Sequence, residues 1–333
     1  MADTKGVLVV GELSDGNVAG ITGELLGVGR RLADALGDEL FIVFMGSNIG
    51  ETAKQAFARG ADGVYAADDT ALNDYQPELY ASVVVKVCED LTPSVLVLGA
   101  TPLGRDLAPR VAWRLKSGLA SDCVGLTIDP ETGALIATRR VYGGKALAEV
   151  DCGSARPAMA TIRPKSQEAL PLDSARRGEV VPIAVDDGPA TAMTRVVERA
   201  IIEVKGIRLE DARIVVGGGR GLGSAENWKA LEALADDLKG AVGATRGACD
   251  EGYCDTVSQL GISSKRVAPE LYLAVGVSGA SQHMAGVSFS KHIACINRDA
   301  EAPIFKEAEF GVVGQWEDVL PAFHRKVREL LAG

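Results

Sequence analysis

The residues with the most chemical reach in this chain are two arginines, a row of hydroxyls, an amide and an imidazole, each set in or beside a short loop that follows an apolar run. "VVGGGRGLGS" (215–224) carries Arg220, and "GATRGA" (243–248) carries Thr245 and Arg246. "LGISSKRVAPELY" (260–272) places Ser263 and Ser264 behind Leu260, Gly261 and Ile262. "VGVSGASQHMAG" (275–286) supplies Ser278, Gly279, Ala280, Ser281, Gln282 and His283, and "CINRD" (295–299) supplies Asn297. A guanidinium pairs with phosphate in bidentate fashion, and a glycine turn offers backbone N–H groups beside it. That chemistry is anion binding. Neither standard phosphate motif is met. A Rossmann fingerprint needs G-x-G-x-x-G, but counting from Gly217 the sixth position is Leu222. A Walker loop needs Gly-Lys-Ser/Thr at its end, which is absent. Taken alone, the Arg220 loop fits a ligand phosphate or a plain structural turn equally well.

The elements that must position these residues are strands alternating with helices. In the first half, 6–12, 40–46, 62–68 and 94–100 are apolar, β-branched runs, separated by helical stretches at 23–37, 51–60 and 77–91. Leu25, Val28, Leu32 and Leu36 fall at helical spacing, and Gly60 is the expected end of the 51–60 helix. Near-continuous apolar strands with helices between them predict a parallel sheet covered on both faces. After the segment 101–115 the pattern changes. Segments 119–128, 134–142, 145–151 and 157–163 are strand-like with no room for helices, and predict antiparallel strands or a β extension of the first domain. Residues 164–200 are rich in charge and proline with little apolar periodicity, the clearest boundary in the chain. Strands at 212–219, 241–252, 271–280, 292–299 and 310–316 and helices at 224–239 and 317–332 then build a second α/β unit, with Ser224 a suitable N-cap. The expected division is an N-terminal α/β domain over 1–185, a linker over 186–206 and a C-terminal α/β domain over 207–333.

The totals agree with a two-domain soluble protein. The chain has 333 residues, 47% hydrophobic and 24% charged, enough to bury cores of ordinary size. A net charge of −10 disfavours nonspecific binding to a nucleic-acid backbone, which needs clustered Lys and Arg. The six cysteines form no CxxC pair and the three histidines lack metal-ligand spacing, so no metal site is expected and dispersed thiols point to a reducing compartment. No run of 18 apolar residues and no signal-peptide pattern occurs, giving the expectation of a cytoplasmic location without membrane insertion.

In a parallel α/β sheet the loops after successive strands gather on one edge, where ligands bind. The set gathered there suits a large polyanionic ligand such as a dinucleotide. The stretches "GGRGL", "GATRGA", "VAPELYLAVGVSGASQHMAG" and "INRDAEAPIF" closely resemble the C-terminal domain of the α subunit of electron transfer flavoprotein (ETF), strongly over about 205–330. The N-terminal half resembles the family more loosely, through "GATPLGRDLAPRVAWRL" and the strands that follow. The resemblance implies FAD bound in the C-terminal domain, no cofactor in the N-terminal one, and a heterodimer with an ETF β subunit. It implies an electron carrier rather than a stand-alone enzyme, taking electrons from acyl-CoA dehydrogenase-type flavin dehydrogenases and passing them to a quinone reductase or another acceptor. Because the 164–200 segment tethers the flavin domain, that domain is expected to swing relative to the rest of the chain to meet different partners. Two alternatives stand beside the electron carrier: an NADH-dependent electron-bifurcating ETF with a second FAD in the β subunit, and a nucleotide-binding scaffold without redox chemistry.

Residue by residue, the resemblance puts Arg220 against the pyrophosphate or nearby polar ligand atoms, and Thr245 and Arg246 at the isoalloxazine ring, where a cation stabilises negative charge on reduced flavin. It puts Leu260, Gly261, Ile262 and Ser263 at the flavin, with the Ser263 hydroxyl toward N5. Ser278, Gly279, Ala280 and Ser281 approach the diphosphate, Gln282 and His283 the pyrimidine side of the ring, with His283 near O2. Asn297 holds the ribose or adenine side, and Gln315 and Trp316 lie near the adenosine. Many members carry Gly-Gln-Thr-Gly where this chain has Gly261-Ile262-Ser263-Ser264. Cys249 and Cys254, where the family is not expected to have cysteine, read as small buried hydrophobes or as a thiol pair.

Overall fold

The computed structural model describes residues 6–14, 16–142, 146–185, 194, 196–198 and 206–332. It divides into two compact units, Met1–Arg199 and Ala200–Gly333. Most of the 186–206 segment expected as a linker lies outside the described residues.

The first unit starts with β1 (Val7–Val10), a two-residue hairpin of β2 (Leu13–Ser14) and β3 (Asn17–Val18), and α1 (Gly20–Leu36). The helix buries Leu25, Leu26, Val28, Leu32 and Ala33 and stops where Gly37 turns left-handed at φ 69°. β4 (Leu40–Gly46), α2 (Gly50–Lys54), β5 (Gly63–Asp68), α3 (Pro77–Leu91), β6 (Val95–Gly99) and α4 (Pro102–Leu115) follow. α3 and α4 both open with proline in the first turn, where the missing N–H costs nothing. The expected 51–60 helix breaks in two: α2 gives way to a 3₁₀ turn at Phe57–Arg59 before Gly60. Ala53, Ala56 and Phe57, at i, i+3 and i+4, keep facing the core across the break.

β7 (Leu119–Ile128), β8 (Leu135–Val141) and β9 (Ala146–Asp151) form the expected antiparallel extension. The fourth segment departs from it. β10 (Ala158–Ile162) is buried at every position and slots between β6 and β7, parallel to both. A strand buried on both faces is a central parallel strand, and "AMATI" has that composition. β11 (Glu179–Pro182), unexpected from the sequence, pairs parallel with β5 at the sheet edge, where a proline and a charge are tolerated. The nine-stranded order is β11-β5-β4-β1-β6-β10-β7-β8-β9.

The second unit contains β12 (Ile214–Gly218), α5 (Ala225–Asp237), β13 (Ala241–Ala244), α6 (Arg246–Asp250), β14 (Leu271–Val275), α7 (Ser281–Val287), β15 (His292–Asn297), β16 (Phe310–Val313) and α8 (Trp316–Ala332). Its five strands are all parallel in the order β13-β12-β14-β15-β16. One face packs Val215, Tyr272, Ala274 and Ile304; the other packs Val216, Trp228, Leu231, Leu273 and Leu320. Ser224 caps α5 as expected, its hydroxyl accepting from Asn227 N at 3.3 Å. Among the described residues, no helix is long and apolar enough to cross a membrane.

Candidate functional site

In the second sheet the strand order reverses between β12 and β14, so connections leave these neighbours in opposite directions and open a crevice at their carboxyl ends. The two loops that flank the crevice are joined backbone to backbone. Gly219 N donates to Val275 O at 3.0 Å and Gly221 N to Gly276 O at 3.1 Å. No side chain fits between them: a Cβ on Gly219 would stand 2.0 Å from the Gly276 carbonyl oxygen. The three consecutive glycines have three different neighbours. A Cβ on Gly217 would meet the Tyr272 hydroxyl at 2.0 Å, and one on Gly218 the Trp228 ring at 2.4 Å.

Arg220 leaves this interlock on a 3₁₀ turn, exposed and with no ion-pair partner among the described residues. Thr245 N donates to Gly218 O at 2.9 Å, which holds the β13 loop beside it, and the Thr245 hydroxyl caps α6. Arg246 is exposed and pairs with Asp250 one turn along, at 3.3 Å. The 260–264 loop hangs from both neighbours: Leu260 N donates to Ala244 O at 2.8 Å and Ile262 N to Gln282 O at 2.9 Å. Ile262 and Ser263 are exposed on it. Gly279 adopts φ 83°, and its missing Cβ would lie 2.3 Å from Ile304 N. Ser278, Ala280, Ser281 and Gln282 are exposed, and the N–H groups of Gly279, Ala280 and Ser281 have no acceptor among the described residues.

Two of the expected site residues turn inward. His283 is 6% exposed, its Nε2 lies 2.7 Å from the Tyr272 hydroxyl and its Nδ1 3.3 Å from Leu260 O. A carbonyl only accepts, so Nδ1 carries the proton and Nε2 accepts from the phenol. Burial pushes the imidazole pKa down to about 4, against the smaller upward pull of the Leu260 carbonyl. Both ring nitrogens are thus engaged within the protein. Asn297 donates from Nδ2 to Val277 O at 2.8 Å and accepts from Asp299 N at 2.9 Å, tying the β15 loop to the β14 loop. Gln315 and Trp316 stand at the start of α8, where the Gln315 carbonyl accepts from Asp318 and Val319 and the Trp316 ring packs on the second face. Tyr272 is the one residue of the constellation that the sequence reading missed. Its signal was a tyrosine in a strand buried on both faces, where a hydroxyl needs a partner.

With this geometry in place, comparison with known proteins is decisive. Residues 7–188 match the family model "Electron transfer flavoprotein domain", and 208–288 match "Electron transfer flavoprotein FAD-binding domain". The chain is 38% identical to the electron transfer flavoprotein subunit alpha of Thermoanaerobacterium thermosaccharolyticum, covering 99% of this chain and 100% of that one. It is 39% identical to the subunit alpha of Megasphaera elsdenii, covering 99% and 98%, and 39% identical to protein FixB of Clostridium saccharobutylicum, covering 100% and 99%.

The chain belongs to the electron transfer flavoprotein alpha-subunit family.

The cofactor of its second unit is therefore FAD. The residues present fit that group. Among the described residues, the crevice offers backbone donors at 279–281 with no acceptor, a cation without a carboxylate partner at Arg220, and glycines where a Cβ would fill the cradle. Backbone donors, a free cation and close-approach glycines suit a diphosphate flanked by two ring systems.

Proposed function

We propose that this chain is the FAD-holding subunit of a heterodimeric ETF with a β subunit. The heterodimer takes electrons from flavin dehydrogenases of the acyl-CoA dehydrogenase type and passes them to a quinone reductase or a comparable acceptor. The observation that carries the reading is the crevice between β12 and β14, glycine-walled, with Arg220, Arg246 and unpaired backbone N–H groups on its rim. Bound FAD supplies one- and two-electron chemistry, so no side chain need act as acid, base or nucleophile. The work of the chain is then to bind and to tune. Residues 207–333 form the FAD domain, and 1–185 form a cofactor-free domain. Arg220 and the N–H groups of Gly279, Ala280 and Ser281 neutralise the diphosphate. Thr245, Arg246, Leu260, Gly261, Ile262, Ser263 and Gln282 surround the flavin ring, where the Arg246 guanidinium favours the reduced, more negative flavin. His283 and Asn297 act from below, the first by positioning the 260 loop and the second by joining the β14 and β15 loops. Ser278 faces the same crevice, and Gln315 and Trp316 reach the adenosine end.

The test is FAD counted per heterodimer after co-purification with the β partner and denaturation. One FAD, lost or strongly weakened in Arg220→Ala, is the expected result. Two FAD, with bleaching by NADH, would replace the simple carrier by an electron-bifurcating one. A colourless folded heterodimer would overturn the reading.

A further inference from the structure

Between the Thr245–Arg246 turn and the Leu260 loop the chain doubles back on itself. α6 ends at Asp250, Gly252 turns left-handed at φ 72°, and Tyr253 N returns to donate to Ala248 O at 3.0 Å. This backbone bond carries Cys254 back over the helix face that bears Cys249. The two sulfurs are 3.7 Å apart, both free thiols, Cys249 buried and Cys254 half-buried. Beyond Sγ of Cys249 lies the Asp255 carbonyl at 3.8 Å, and the Asp255 side chain then caps the 3₁₀ turn that leads into Gln259 and Leu260. The pair therefore sits where two loops of the cradle are joined, and a sulfur–sulfur bond of about 2 Å requires only a small closure.

We propose that Cys249 and Cys254 are a modification site, a dithiol that small-molecule disulfides convert to an intramolecular disulfide, clamping the turn between the Arg246 and Leu260 loops. The half-buried Cys254 thiolate attacks one sulfur of the small disulfide and releases one thiol. Cys249 then attacks Sγ of Cys254 and releases the second. The two cysteine protons end on the two released thiols, and two electrons pass from the protein to the oxidant. Burial pushes both thiols up, Cys254 to about 12, with Asp250, Asp255 and, from α5, Glu232 adding negative charge nearby. The thiolate is thus sparse near neutrality and the reaction is slow, quickening as pH rises. A thiol of high pKa is also a poor leaving group, so the disulfide resists reduction once formed. The clamping consequence rests on the FAD reading above; formation of the bond does not.

Cleavage after Arg246 and Lys265 leaves both cysteines in one tryptic peptide, 247–265. The reduced αβ complex, incubated with oxidised glutathione at pH 8, alkylated and digested, is expected to give this peptide unalkylated and about 2 Da lighter than the dithiol. In Cys249→Ser, Cys254 is expected to keep a glutathione adduct, because the resolving thiol is gone. A wild-type peptide that stays fully alkylatable, or that carries two separate adducts, would overturn the proposal. FAD release from the oxidised complex is expected to be slower than from the reduced one, and equal rates would overturn the clamp. A complex without flavin would sink the FAD reading while leaving the mass measurement intact.

Discussion

His283 holds its proton on Nδ1 toward Leu260 and accepts from Tyr272 on Nε2, and the second bond needs the neutral ring. In the folded chain the ring stays neutral down to a pH of about 4, whereas the exposed imidazole of the unfolded chain takes up its proton near 6.5. The unfolded state thus binds the extra proton first, so His283 favours folding fully above 6.5. That contribution fades as pH falls through the window from 6.5 to about 4. The loss amounts to roughly 3 kcal/mol across the window. Urea unfolding of the wild-type chain at pH 7.5 and 5 is expected to show about 2 kcal/mol of this drop, because pH 5 lies inside the window, and His283→Gln is expected to flatten it. An unchanged pH dependence in the variant would assign the titration to another group. At this scale the sequence was informative about residue types and less so about direction. The imidazole and the Asn297 amide stood out as polar groups in glycine-rich loops, but whether each faces a ligand or the core depends on a partner in another strand. Tyr272 is eleven residues from His283 in sequence and 2.7 Å away in space.

The elements of the second unit act through their ends. β12 and β14 bring Gly219, Gly221 and Gly276 to within backbone distance, a fit with no room for one methyl group. Gly219→Ala is expected to cost about 2 kcal/mol or more, because its Cβ can be placed only by parting two main chains rather than by turning a side chain. FAD content per purified complex should fall with it, and a folded, fully loaded variant would show that the crevice walls can separate without loss. Strand and helix placement was largely legible. Leu40–Gly46, Pro77–Leu91 and Leu119–Ile128 fall at the residues the patterning predicts, because each is long and strongly periodic or apolar. Legibility failed where tertiary context decides. Ala158–Ile162 follows two antiparallel strands in sequence yet inserts as a parallel one, and Glu179–Pro182 is a strand only because the β5 edge is there to receive it.

For the whole molecule, the relevant fact is that each unit has its own sheet with a hydrophobic cluster on each face. A ligand that binds one unit stabilises that unit by mass action, by about 2.7 kcal/mol when its concentration is 100 times its dissociation constant. Calorimetry of the isolated chain is therefore expected to show FAD raising one unfolding transition and leaving the other in place. Both transitions moving together would mean that the units unfold as one.

The run Gly217 to Gly219 has a consequence for how this sequence can drift over generations. Three identical neighbours look like a low-information spacer, yet their missing side chains are excluded by Tyr272, by Trp228 and by the Gly276 carbonyl in turn. A change at Gly217 calls for a smaller residue at position 272, one at Gly218 calls for room at 228, and one at Gly219 has no side chain to trade against. Among descendants of this chain, the first two positions should therefore covary with distant partners, while the third should stay fixed.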